Sequence, residues 1–205
     1  MKARANLFLD KVVNCKQKIA GYANQFISEG SSILVHSMSR VVLCTLLEAH
    51  RQQKSFTVYV TQSQPINKGE TMHKMLKQEG IDCHLIVDAA VGYFIERVNM
   101  VMVGAEAVVE NGGIINSIGT FPLALCAKAL NKPFYVLAES YKFTRHFLLT
   151  QNDIPASIRL KSSSQDDEFV SLVDYTPPTY ITLLHTDLGI ITTAAVSDLL
   201  ITLYL

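Results

Sequence analysis

The chain has 205 residues, 49% of them apolar and only 18% charged, so it builds a buried core and is not disordered. Eighteen basic and eighteen acidic side chains cancel to a formal net charge of zero, which leaves no overall basic field to recruit nucleic acid or an anionic membrane. The mean hydropathy of +0.22 is high for a free monomer and points to a partner surface. Cysteines 15, 44, 83 and 126 are widely separated and lack metal-ligand spacing, so they read as reduced thiols, with no metal site and no cofactor expected.

At the amino end the apolar run breaks at Asp10, too early for a secretory leader. Leu7, Phe8, Val12, Ile19, Ala23, Phe26 and Ile27 fall at near-helical spacing, which predicts a long amphipathic N-terminal helix closing near Gly30. Residues 1–30 are read as this connecting helix and 31–205 as one domain. Within the domain, Ile33, Leu34 and Val35 read as a strand, with a helix following from Arg40 to Gln52. The unit recurs at 56–60 with a helix over 69–79, and at 84–87 with a short helix to Arg97. It returns at 98–103, where a Gly-rich connection leads to a helix over 120–130, and once more at 134–138. Apolar runs without strict alternation, separated by helices, predict an α/β fold with a doubly wound, mostly parallel, Rossmann-like sheet.

Beyond Ser140 the rhythm stops. The polar stretch 161–168 reads as a mobile loop and Tyr175–Pro178 as a rigid surface turn. A terminal helix is expected near 194–203. Val196, Leu199, Leu203, Tyr204 and Leu205 exceed what one helix face needs, so they are candidate residues of a subunit interface.

Ligands of such sheets bind beyond the carboxyl ends of the strands. The candidates there are Ser37, Ser39 and Arg40 after the first strand, Gln62 after the second, Asp88 after the third and Glu106 after the fourth. Asn116 is delivered by the Gly112-Gly113 connection. Ser39 suits a helix cap, and free amides beside Arg40 suit a phosphate. The segment 103–120 is neither a dinucleotide fingerprint nor a phosphate-binding Gly-Lys-Ser/Thr loop. His36 reads as a hydrogen-bonded core histidine.

Several segments together resemble one known family. They are Val103-Gly104-Ala105-Glu106, Asn111-Gly112-Gly113-Ile114-Ile115-Asn116, Ile118-Gly119-Thr120, Asp88-Ala89-Ala90-Val91-Gly92-Tyr93, Lys132-Pro133-Phe134-Tyr135-Val136 and Ala195-Val196-Ser197-Asp198. The family is that of the alpha, beta and delta subunits of eukaryotic translation initiation factor 2B, and the pattern is that of its alpha members. Sugar-phosphate isomerases belong to it more distantly.

The resemblance implies a non-catalytic regulatory subunit of a cytoplasmic guanine nucleotide exchange complex. Its implied partners are a second copy of itself, the beta, gamma, delta and epsilon subunits, and initiation factor 2, including the phosphorylated form. The family's isomerases use a Cys and an Asp where this chain has Ser37 and Glu106. A hydroxyl and a lengthened acid are poor substitutes in proton transfer. The implied pocket therefore binds a sugar phosphate without turnover, and the alternative is a surviving isomerase of phosphorylated ribose. Alpha members carry an N-terminal helical domain that this sequence is expected to lack.

Overall fold

Strands buried on both faces need helices on both sides, and the apolar runs of this chain meet that requirement in a seven-stranded sheet. The structure is a computed structural model that describes residues 14–158 and 171–204. In chain order the elements begin with α1 (14–24), β1 (Ser31–His36), α2 (Arg40–Arg51), β2 (Phe56–Thr61), α3 (Lys68–Gln78), β3 (Asp82–Ile86) and the short α4 (Val91–Phe94). They continue with β4 (Met100–Gly104), β5 (Ala107–Val109), β6 (Ile114–Ser117), α5 (Thr120–Ala129), β7 (Phe134–Leu137) and β8 (Phe143–Thr144). The last are β9 (Val173–Thr176), β10 (Leu183–Thr186), β11 (Gly189–Ile191) and α6 (Val196–Tyr204).

The large sheet has the order β11-β10-β7-β4-β1-β2-β3. Every neighbouring pair is parallel except β10–β11. The chain winds outward from β1 through β2 to β3, then returns to the other side of β1 through β4, β7 and β10. The winding therefore reverses between β1 and β4, the topological switch point of a doubly wound sheet.

Alternate residues divide the core between the two faces. Ile33, Val35, Met100 and Met102 pack with Ile19 and Ala23 of α1, Leu46 of α2 and Leu76 of α3. On the opposite face Leu34, Val101 and Val103 pack with Ile95, Leu123 of α5 and Leu200 of α6.

Three expectations need correction. The first concerns the long N-terminal helix: residues 14–24 are helical, the chain turns at 25–26, and residues 7–13 lie outside the described part. The turn arises because the Lys54 ammonium donates to the carbonyls of Asn24 (2.7 Å) and Ile27 (2.8 Å), satisfying carbonyls that another helical turn would have used.

The second concerns the Gly-rich connection, which is a β-hairpin. Strands β5 and β6 pair antiparallel within a four-stranded sheet of order β8-β5-β6-β9. Tyr175 is accordingly a buried residue of β9 and not part of a surface turn. Its hydroxyl donates to the Leu148 carbonyl (3.1 Å) and accepts from Asn111 Nδ2 (2.8 Å).

The third concerns the proposed interface. Val196 is fully buried within the chain's own core, because the first turn of α6 packs on the large sheet. Leu199 is partly buried against the same cluster. The side chains of Leu203 and Tyr204, all of Leu205 and the loop expected at 161–168 lie outside the described residues.

The two-sided core sets a stability contrast. Leu34→Ala, in the central strand, should cost about 2–5 kcal/mol in chemical denaturation through lost burial and a cavity. Leu149→Ala, at a side chain 74% exposed, should stay within about 0.5 kcal/mol.

Candidate functional site

The carboxyl ends of β1 and β4 lie at the switch point, and the second sheet closes over them. Three contacts make the closure: Glu106 N donates to the Ile115 carbonyl (2.9 Å), Lys142 Nζ donates to the Ala105 carbonyl (2.7 Å), and His36 reaches the connection before α5. A carbonyl only accepts, so His36 Nε2 donates to Ile118 O (2.8 Å). Its Nδ1 then accepts from the Thr61 hydroxyl (2.6 Å). Burial lowers the His36 pKa, against the pull of the Ile118 carbonyl and the charge of Asp88. The ring is therefore a neutral structural tie between β1, β2 and the start of α5.

Two glycines permit this approach. A Cβ on Gly119, which sits at φ +102°, would meet His36 Cε1 at 2.8 Å, a distance real Cβ atoms do not tolerate. One on Gly104 would collide with the Ser39 hydroxyl. Glycine at these positions is a steric requirement for bringing α2, β4 and α5 together.

The seven candidates separate into two groups. Ser37, Ser39, Arg40, Glu106 and Asn116 follow the ends of β1 and β4 or lie on the hairpin of β5 and β6. Ser37 occupies the left-handed region at φ +63°, is 3% exposed, and its hydroxyl is buried without a hydrogen-bond partner. Ser39 caps α2, its Oγ accepting from Val42 N at a long 3.4 Å. Glu106 is exposed, and so is Arg40, the first residue of α2. Asn116 is buried and donates through Nδ2 to Thr120 Oγ1 (3.0 Å).

Gln62 and Asp88 lie on the flank, at the ends of β2 and β3. Gln62 is tied through its backbone to Ile86 and Gly69. Asp88 holds the loop after β2, accepting from Ser63 N and Gln64 N, each at 2.7 Å. That carboxylate clamps the loop after β2.

Four acid and base groups near the strand ends were not among the candidates. Glu139, after β7, is buried, and burial alone would raise its pKa. Lys142 at 3.0 Å and the Tyr141 hydroxyl at 3.0 Å outweigh that and hold it below the usual range. Burial, together with the same carboxylate, pushes the Tyr141 phenol up to about 12. Asp187, after β10, accepts from Ser140 N (2.6 Å) and Ser140 Oγ (2.9 Å). These bonds lower its pKa despite burial.

Asp174 is the fourth. It sits on β9 directly opposite Asn116, is 4% exposed, and accepts from Gly119 N (2.8 Å) and Phe121 N (2.9 Å) through Oδ2. Burial pushes its pKa up to about 7, against the pull of the backbone N–H groups of Phe121, Gly119 and Thr120. A Tyr-Thr-Pro-Pro sequence after it reads as a turn, so only the strand pairing reveals its role.

Two other features do not make a site. A cleft of about 430 Å³ opens at the amino ends of β1, β2 and β3, but its Lys54 ammonium is committed to the Asn24 and Ile27 carbonyls. Among the described residues, no group of three or more His, Cys, Asp or Glu side chains is placed to hold a metal ion.

Residues 1–193 match the initiation factor 2 subunit family. The chain belongs to that family. It is 47% identical over 204 residues to the "Translation initiation factor eIF2B subunit alpha" of Dictyostelium discoideum, covering 92% of this chain and 64% of that protein. To the protein of the same name in Caenorhabditis elegans it is 41% identical over 208 residues, covering 100% and 68%. The chain thus spans about two thirds of the length of these relatives. It is also 35% identical over 196 residues to a ribose 1,5-bisphosphate isomerase of Archaeoglobus fulgidus, covering 92% of this chain and 62% of that protein. Among solved structures, the Pyrococcus horikoshii translation initiation factor eIF-2B superposes with a TM-score of 0.84 at 32% identity, over 93% of this chain and 69% of that one.

Asp174 sets a pH signature. Its folded pKa of about 7 lies above the ordinary 3.8, so the folded state holds a proton that the unfolded chain has released between those values. Its contribution to stability is complete below about pH 4 and is lost as pH rises through 7. Asp174→Asn removes this titration and leaves the chain's other groups in place. In thermal melts the midpoint of the native chain, measured relative to that of Asp174→Asn, should therefore fall between pH 5 and pH 8. A constant difference would contradict the assignment.

Proposed function

We propose that the chain is a non-catalytic regulatory subunit, of the alpha type, in the initiation factor 2B guanine nucleotide exchange complex. It supports assembly of that complex and regulation of GDP/GTP exchange on initiation factor 2. The observation that carries this reading is the 47% and 41% identity to proteins named as eIF2B alpha subunits, over nearly the whole of this chain. In this reading it pairs with a second copy of itself and with the beta, gamma, delta and epsilon subunits, and responds to initiation factor 2 and its phosphorylated form. It acts in the cytoplasm and needs no cofactor. No described helix is long and apolar enough to cross a membrane. Exposed Leu188 and Ile201 support a partner surface near β11 and α6.

The site geometry supports binding without turnover. Shuttling a proton between adjacent carbons needs an acid and a base that exchange protons readily near neutral pH. The Ser37 hydroxyl is a far weaker acid than a thiol. His36 does not stand in for it, since both its ring nitrogens are engaged. Glu106 is exposed to solvent, where water competes for its proton. What remains is a set of hydrogen-bonding groups near the ends of β1 and β4, of a kind that suits a sugar phosphate.

A second reading, an isomerase of phosphorylated ribose, is favoured by the 35% identity to the Archaeoglobus enzyme. Two measurements separate them. Co-expressed with the other four subunits, the chain should purify in complex with them and alter the rate of GDP release from initiation factor 2. Incubated with ribose 1,5-bisphosphate, it should form no ketose. Failure to join the complex contradicts the proposal, as does turnover at about 1 s⁻¹ or faster, within the ordinary enzymatic range.

A further inference from the structure

The large sheet has two edges, and they are finished differently. At one, β11 is three residues long and begins at Gly189, whose carbonyl already accepts from the Thr186 hydroxyl (2.8 Å). An edge that short resists further pairing. At the other, β3 runs for five residues with β2 on one side and, among the described residues, no strand on the other. Neither a proline nor a residue of positive φ interrupts it.

Successive residues of a strand turn their N–H and C=O groups to opposite edges. The Ile86 carbonyl accepts from Gln62 N (2.9 Å) and so faces β2, as do the backbone groups of His84 and Asp82 two and four residues before it. Cys83 and Leu85 therefore present theirs outward, where no described strand meets them.

Charged side chains commonly blunt such an edge, and β3 carries Asp82 and His84, whose side chains are 62% and 56% exposed. Here the two are complementary. Asp82 Oδ2 accepts from the Thr57 hydroxyl (2.7 Å), but Oδ1 has only His84 Nε2 at 3.6 Å, too far for a hydrogen bond. Two residues apart, both lie on the face where His84 stacks on Tyr59 and Tyr59 meets Phe94. On the opposite face Cys83 and Leu85 pack against the core cluster that holds Met72 and Leu76 of α3.

The complement of Asp-x-His in an antiparallel partner is His-x-Asp, which β3 itself supplies. A two-fold axis through Cys83 sets the backbone of Cys83 against that of Cys83 in a second copy, and each Asp82 opposite the other copy's His84. Moving the axis to His84 sets His84 against His84 and Asp82 against Ile86, so charge selects the first register.

We propose that β3 is a self-complementary edge at which two copies of the chain join antiparallel, Cys83 against Cys83, into one continuous sheet. This deepens the pairing with a second copy in the regulatory-subunit reading and rests on it. A two-fold contact uses the same patch on both copies, so the Asp82–His84 pair forms twice.

The test is sedimentation of the full chain together with oxidative cross-linking. The native chain should be dimeric at micromolar concentration. Copper phenanthroline should link Cys83 to Cys83, identified by peptide mapping, because the Cα atoms of a hydrogen-bonded antiparallel pair are about 5.5 Å apart, within disulfide reach. His84→Asp sets carboxylate against carboxylate twice and should weaken the dimer at least about tenfold. Adding Asp82→His reverses both charges and should recover most of the affinity, which a merely disturbed strand would not do.

A native chain that stays monomeric overturns the edge and the pairing of two copies together. A dimer that gives no Cys83–Cys83 link, or that His84→Asp leaves unchanged, overturns the edge alone and leaves pairing through another surface. If the substituted chains fail to fold, the native chain still decides: the Cys83–Cys83 link supports the proposal, and its absence contradicts it.

Discussion

The start of α5 is held between two sheets, and the arrangement of the cleft depends on that clamp. From the large sheet, His36 donates to the Ile118 carbonyl and accepts from Thr61. From the small sheet, Asp174 accepts from Gly119 and Phe121. Neither sheet positions the helix alone: β1 ends at His36, β9 carries Asp174, and the connection they both hold contains a glycine with φ +102°. A side chain there would drive the histidine ring away. Because each partner is buried, losing one leaves a polar group without water or replacement, which costs more than the bond itself contributes. The clamp thus fixes the relation between the ends of β1 and β4 and the hairpin that carries Asn116.

Charge around the cleft follows from the same closure. Burial would raise the pKa of Glu139 and Asp187, yet both are held low by their immediate partners, Lys142 with Tyr141 in one case and Ser140 in the other. Asp174 has only backbone dipoles for support, and burial prevails. Lys142 is occupied by Glu139 and the Ala105 carbonyl, which leaves Arg40 as the exposed cation at the start of α2.

The parallel sheet was legible in the sequence because its strands are buried on both faces. Runs such as Ile33-Leu34-Val35 and Met100–Val103 announce themselves without alternation, and the helices between them carry clear apolar stripes. The small sheet was not legible. Its strands are two to four residues long, and Gly112-Gly113 between two of them reads as a loop. The positional argument points to Ser37, Ser39 and Glu106 because they follow strand ends, whereas Asn116 lies within β6. It did not foresee that Asp88 also holds the loop after β2, through Ser63 N and Gln64 N. It also missed Asp174, whose partner strand β6 is far away in the chain. Val196 was misassigned because an apolar helix face looks the same in sequence whether it meets another subunit or its own sheet.

Amide hydrogen exchange at Gly119 and Phe121 tests the clamp most directly. If both N–H groups are bound by a buried carboxylate, they exchange only on global unfolding, as slowly as the amides of β1 and β4. Exchange at rates typical of exposed loops would show that Asp174 does not hold the start of α5, and the account of the cleft built on it would be wrong.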